Sequence, residues 1–318
     1  MSKYDVIALG ELLIDFTQGG LSQQGNFMFE ANPGGAPCNV MAMLSKLGRK
    51  TAFIGKVGND FFGHMLAETI AQSGVDNRYL SFDEAVHTTL ALVHTLPDGD
   101  RDFSFYRNPG ADMNLTAREV SREAISDARV FHFGTLSMTH EGVAEATRAA
   151  IEIAEKSGCL RSFDPNLRPP LWDSLDHAKK MVEYGLAHCD MLKISDNEIQ
   201  WLTGLEDYTS GVEAIRSRFD IPLILVSMGR EGSRAYARDF IVEQSGFSVN
   251  TIETTGAGDT FCACMIDALL KYGPEGFTPE NTADALRFAN AAAAIVTTRK
   301  GALKVMPDVS EIMALLGR

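Results

Sequence analysis

Six short apolar runs, at residues 6–10, 51–57, 130–133, 160–163, 191–194 and 223–227, recur between stretches of helical periodicity, and this alternation constrains the fold most. The helical stretches lie at 38–47, 62–73, 140–156, 174–188 and 210–219. Such a rhythm predicts an α/β fold: a mostly parallel central sheet flanked by helices on both faces, with ligands at the carboxyl ends of the strands. Two segments break it, 15–33 and 86–109. In the second, 88–93 and 102–106 flank Pro97-Asp98-Gly99-Asp100 and read as a β-hairpin. A hairpin inserted into an α/β domain has little of its own to bury against, so it is expected to cover an active site, a second subunit or both. The expected division is a large domain from 1–14, 34–85 and 110–318, and a small β-sheet lid from 15–33 and 86–109.

Composition narrows the partners. The chain of 318 residues carries a formal net charge of −13, which argues against nucleic acid or an anionic membrane surface as a partner. An anionic ligand must then be held by local donors. No apolar run approaches the roughly 18 residues of a membrane span, and Tyr4-Asp5 leads directly into a strand, so the cytoplasm is the expected address. The five cysteines include no C-x-x-C pair and read as reduced core residues. His132, between Phe131 and Phe133, reads as a strand residue, not a ligand.

The chemistry concentrates late in the chain, at Thr254-Thr255-Gly256-Ala257-Gly258-Asp259-Thr260. Phe261, Met265, Ala268, Leu269 and Tyr272 follow at helical spacing until Gly273-Pro274, so a helix starts near Gly258. Its unpaired N–H groups and positive dipole end would receive a polyphosphate where Gly256 and Gly258 bare the backbone. Asp259, in the same turn, could accept the proton of an attacking hydroxyl. Taken alone, the segment reads better as a tight turn with Asp as a cap. Phe261 stands where a dinucleotide fingerprint needs its third glycine, and G-x-x-x-x-G-K-[ST] is absent. Asp15, after the first strand, reads as a ligand residue or a turn aspartate. Gly34, Gly35 and Asn39 add bare backbone and a side chain that donates and accepts, as a sugar needs, or simply a structural turn.

Together, Gly34-Gly35 with Asn39, the run Gly55-Lys56-Val57-Gly58-Asn59-Asp60-Phe61-Phe62-Gly63 and the Thr254–Phe261 segment resemble, in order and spacing, the signatures of the ribokinase-like, or PfkB, carbohydrate kinase family. The similarity runs from Val6 to Pro307. Within that family, Gly34-Gly35-Ala36-Pro37, the run from Phe105 to Met113, and Asp164-Pro165-Asn166-Leu167-Arg168 followed by Leu171-Trp172 are similar to fructokinases. The resemblance implies a ribokinase-like fold and phosphorylation of D-fructose by ATP with Mg2+. It implies Asp259 as general base, backbone N–H groups of Gly256, Ala257, Gly258 and Asp259 as anion hole, and Asp15, Gly34, Gly35 and Asn39 as sugar contacts. Ser195, Ser227, Gly229, Gly232 and Asn290 would line the nucleotide side.

Two departures qualify it. The family's N-x-x-E motif is Ser195-Asp196-Asn197-Glu198 here, which leaves Glu198 to place magnesium through water. Glu253 replaces the usual aspartate where many relatives bind a monovalent cation, so Glu253 and Thr255 are the candidate K+ residues. Arg107 and Arg168 could clamp a substrate carboxylate, which keeps 2-keto-3-deoxygluconate kinase as the alternative, or form internal ion pairs. A nucleoside kinase, a nucleotide-linked oxidoreductase and a non-catalytic sugar sensor are weaker readings. Exposed hairpin strands suggest a homodimer through the lid, with a monomer also allowed.

Overall fold

The computed structural model describes residues 3–95 and 101–317, so the hairpin turn at 97–100 lies outside the described residues. The chain begins with β1 (Tyr4–Leu9), β2 (Leu13–Leu21), β3 (Phe27–Gly34), α1 (Ala36–Lys46), β4 (Thr51–Gly58), α2 (Phe61–Gln72), β5 (Val75–Asp83), β6 (Leu90–Thr95) and β7 (Arg101–Tyr106). Next come α3 (Arg122–Ser126), β8 (Ala128–Gly134), α4 (Glu141–Lys156), β9 (Leu160–Asp164), α5 (Leu175–Ala187), β10 (Met191–Ser195), α6 (Asp196–Thr203) and α7 (Tyr208–Arg216). The remaining elements are β11 (Leu223–Ser227), β12 (Gly232–Tyr236), β13 (Ile241–Ser245), α8 (Ala257–Tyr272), α9 (Pro279–Val296) and α10 (Val309–Leu315).

Among the described residues the main sheet has nine strands in the order β13-β12-β11-β10-β9-β8-β1-β4-β5. All pairings from β5 to β11 are parallel, and β12 and β13 run antiparallel. The two core layers follow from the strand period of two, because neighbouring side chains point to opposite faces. Val6 and Ala8 pack with Met41, Phe261 and Leu286 on the α1/α8/α9 side. Ile7 and Leu9 pack with Phe131, Phe133 and Phe163 on the other. Burial on both faces explains why these strands read as continuous apolar runs. The five cysteines are free and buried, as expected of core residues.

β1 lies between β4 and β8, so successive connections leave it in opposite directions and open a crevice at its carboxyl end. Over this end sits a second sheet of four strands, β3-β2-β6-β7, with β2 parallel to β6 and Asp15 opposite Ala91. It contains the two segments that break the alternation, although β2 starts at Leu13 and β3 runs to Gly34. β5, β12, β13, α3, α6 and α10 go beyond the sequence expectation. In β13 only alternate residues are partly covered, which leaves no apolar run to read. No helix among the described residues is long and apolar enough to cross a membrane.

Candidate active site

A cavity of about 610 Å3 lies between the crevice and the second sheet. From the early chain it is lined by Glu11, Asp15, Gly35 and Asn39, from the second sheet by Val93 and Phe105, and from the late chain by Thr255, Gly256, Gly258 and Asp259. The two halves of the anticipated site therefore share one space. They also touch: Asn39 Nδ2 donates to Asp259 Oδ2 at 2.8 Å, across 220 residues of sequence. Asn39 Oδ1 is buried and has no internal donor, the arrangement expected of an acceptor reserved for a ligand hydroxyl.

The local sequence explains how these groups are held. Gly256 is the N-cap of α8 at φ 80°, a left-handed turn that favours glycine, and no side chain caps the 16-residue helix. A Cβ at Gly256 would lie 2.7 Å from Ala302 Cβ. Ala257 is the first helical residue, one earlier than the periodicity indicates. Gly34 does not line the cavity. Its missing side chain admits Asp15 instead, since a Cβ there would stand 2.3 Å from Asp15 Oδ2.

A second cavity, of about 550 Å3, shares Asn166, Arg168, Lys193 and Gly258 with the first and extends along Ser195, Glu198, Ser227 and Gly229. Asn166 turns the chain between the two, with φ 44° and its N–H bonded to Asp164 Oδ1 at 3.1 Å; it is the one non-glycine residue with positive φ among the described residues. Ser195 caps α6 in a capping box with Glu198, whose carboxylate also accepts from Leu167 N at 2.7 Å. With Ser195 N and Oγ on Oε2 and Leu167 N on Oε1, both oxygens of Glu198 are engaged. Among the described residues no group of three His, Cys, Asp or Glu could hold a metal.

Lys193 has no place in the sequence reading, although a lysine inside the apolar run Met191-Leu192-Lys193-Ile194 is a usable signal, and Asp164 enters it only within the run to Arg168, with no role of its own. Lys193 Nζ pairs with Asp164 Oδ2 at 3.0 Å, both side chains being buried. It also stands 3.1 Å from where a Gly258 Cβ would be. Glu11 was missed too; it accepts from Ala36 N at 2.7 Å and so anchors the start of α1.

Arg107, Asn290 and Gly232, anticipated as site residues, line neither cavity. Arg107 is buried, pairs with Asp112 at 2.7 Å and donates to Thr139 Oγ1 and Leu136 O, so it does not line the cavity. Asn290 ties α9 to the antiparallel strands, accepting from Ser233 Oγ at 2.9 Å and donating to Gln244 O and Ser245 O. Gly232 is pressed against β13, where a Cβ would come within 2.1 Å of Gln244 O. Neither Asn290 nor Gly232 lines the second cavity. Glu253 lies beyond the first cavity, accepting from Thr255 Oγ1 at 2.6 Å and Gly301 N at 3.1 Å.

Burial dominates the electrostatics. It pushes Asp259 above the ordinary carboxylate range, against the Asn39 hydrogen bond and the charges of Lys193 and Arg168. It pushes Asp15 up to about 7, opposed by Arg168 and reinforced by Glu253 and Asp259. Burial would by itself lower Lys193, yet Asp164 and Glu198 hold it above its ordinary value. For Glu198 burial acts upward but is outweighed by Lys193 and the hydrogen bonds from Ser195 and Leu167, which hold it low.

The family model for the pfkB family carbohydrate kinase matches residues 3–309. A probable fructokinase-2 from Arabidopsis thaliana is 40% identical over 313 residues, covering 98% of this chain and 95% of the relative. The crystal structure of a fructokinase with bound ATP from Xylella fastidiosa superposes with a TM-score of 0.90 at 31% identity, covering 99% of this chain and 98% of that one. A fructokinase double mutant from Vibrio cholerae O395, in its fructose-, ADP- and potassium-bound form, gives 0.88 at 28% identity, covering 99% of each chain. The protein is a sugar phosphotransferase of ribokinase-like fold, and the chain belongs to the pfkB family of carbohydrate kinases.

Proposed function

We propose that the protein is a fructokinase that transfers the γ-phosphoryl group of ATP to a primary hydroxyl of D-fructose. The observation that carries this reading is the Asn39–Asp259 contact at the uncapped start of α8, inside a cavity that also holds Asp15. The sugar hydroxyl meets Asp259, which takes its proton as the oxygen attacks phosphorus. Asn39 fixes one oxygen of the base and presents Oδ1 to a sugar hydroxyl, while Asp15 and the backbone at Gly35 take others.

The nucleotide occupies the second cavity, with its terminal phosphate at the shared wall. There the amides of Gly256 to Asp259 receive the transferring group, and Lys193 and Arg168 balance its charge. One lost donor of this kind costs about 3 to 4 kcal/mol, and a placed base is worth roughly 10² to 10⁴ in rate. Phosphoryl transfer asks mainly for positioning and charge stabilisation, so the two together match the task. Magnesium bound to the phosphates would neutralise charge there, and Glu198 with Ser195 is the pair placed to hold its waters. A monovalent ion would belong beside Glu253 and Thr255, and comparing KCl with choline chloride tests for it. Val93 and Phe105 of the second sheet form the apolar wall that keeps water from competing with the sugar.

The commitment of Arg107 to Asp112 removes half of the carboxylate clamp that 2-keto-3-deoxygluconate would use, which favours a neutral sugar. An ADP-release screen over fructose, ribose, ketodeoxygluconate, tagatose 6-phosphate and adenosine tests the reading. Fructose should give the highest kcat/KM, and faster turnover of ketodeoxygluconate would replace the proposal with the acid-sugar kinase.

A further inference from the structure

Beside Asp259, lined from the ends of β8 and β9 and by no residue of the second sheet, a small void adjoining the wider cavity leaves about 10 Å3 for the centre of a water molecule, close to the minimum for one. Asp259, Glu11, Asp164 and His132 line it. Four polar side chains around a space of this size satisfy the partners that a buried water needs. Each of the four already holds one partner: Asp164 with Lys193 at 3.0 Å, His132 Nδ1 with Ser162 Oγ at 3.1 Å, Asp259 Oδ2 with Asn39 at 2.8 Å and Glu11 Oε1 with Ala36 N at 2.7 Å, which leaves the second oxygen of Asp259 and of Glu11 for a water. Asp259 and Glu11 differ from the other two in also lining the 610 Å3 cavity.

We propose that this void takes one water, and that the water passes the proton collected by Asp259 on to Glu11. The inference rests on the reading of Asp259 as the base. As the sugar oxygen bonds to the γ-phosphorus, its O–H bond breaks and the proton goes to Asp259. The bond from the γ-phosphorus to the bridging oxygen breaks, and ADP leaves with that electron pair. Asp259 then gives the proton to the water, which gives one of its own to the Glu11 carboxylate and is left unchanged. Product fills the wider cavity at that moment, and the small void beside Asp259 keeps room for the water. When the sugar phosphate leaves, Glu11 faces the emptied cavity and releases the proton to solvent.

The charges around Glu11 suit a group that exchanges protons near neutrality. Burial pushes it up to about 7, helped by Asp112 and opposed by the Ala36 N–H and Arg107. Asp259, Asp164 and His132 line the void with it, and burial together with the Glu11 charge raises Cys38 of α1. Burial drives His132 down to about 3, so it stays neutral and does not compete for the proton.

Glu11 also anchors α1, so the test must separate a proton acceptor from a cap. Gln keeps an oxygen for Ala36 N–H but cannot take a proton, whereas Asp keeps the charge and shortens the reach. The relay predicts that Glu11→Gln lowers kcat roughly 10-fold or more, with the fructose KM within about two-fold of wild type, and that Glu11→Asp retains more kcat than Glu11→Gln. A purely structural role predicts the reverse order. The acid limb of kcat should also shift in Glu11→Asp relative to wild type, which carries the test even if the Gln variant melts early. Wild-type kcat in Glu11→Gln, or an unmoved limb in Glu11→Asp, overturns the relay alone. A wild-type protein that phosphorylates none of the screened acceptors overturns the relay and the kinase reading together.

Discussion

Asp259 and Arg107 show at the level of single residues how far chemistry can be inferred before coordinates. Two glycines and the start of a helix place Asp259 at the helix mouth, while the fold supplies the hydrogen bond from Asn39 and the charges of Lys193 and Arg168. Replacing it with Asn should leave fructose binding by calorimetry largely intact and lower turnover by at least roughly 10²; a near-normal rate would remove it as the base. Arg107 depends on a fold-level fact, the loop that brings Asp112 back onto its guanidinium. Arg107→Met would leave Asp112 buried without its counter-charge, at a cost of about 3 to 5 kcal/mol. Thermal melting should report that loss, and the fructose KM of the surviving folded protein should change little. Lys193 lies between these cases. Its place in an apolar strand is visible, but only the parallel register of β10 with β9 brings it to Asp164.

At the scale of elements, what was legible is what is buried on both faces. The central strands and the helices covering them are continuous or periodic apolar patterns, so their existence can be read from spacing alone. Edge elements such as β5 and β13 expose one side, and their mixed composition hides them. α6 was hidden by a different effect: Ser195-Asp196-Asn197-Glu198 is a capping box as well as a candidate ion site, and one use masked the other. The outer part of the second sheet leaves Leu21, Phe27, Met28 and Phe29 exposed, with Phe27 at 67%. A contiguous apolar edge of this kind fits pairing with a second copy of the chain through the lid. Sedimentation should give a dimer that Phe27→Glu with Phe29→Glu converts to monomer; an unchanged mass in the double variant would place any interface elsewhere.

For the molecule as a whole, the buried acids tie stability to pH. Glu11 and Asp164 sit at about 7 and 6 in the folded protein, against ordinary values of 4.5 and 3.8. The native state therefore keeps protons that the unfolded chain has released. The stability these groups contribute is complete below their unfolded values and is lost as pH rises through about 6 to 7. Carboxylates held low, such as Glu198 and Asp60, act the other way, and their contribution disappears only as the solution becomes strongly acidic. The ligand-free protein should melt a few degrees lower at pH 8 than at pH 6, by calorimetry, and Glu11→Gln should shrink that difference. A melting point that climbs over this interval would contradict the sign. The wall common to both cavities, built from Asn166, Arg168, Lys193 and Gly258, carries a thermodynamic obligation as well. If hexose and nucleotide lean on these four residues as proposed, whatever the hexose does to the grip on nucleotide, the nucleotide must return to the hexose in equal measure.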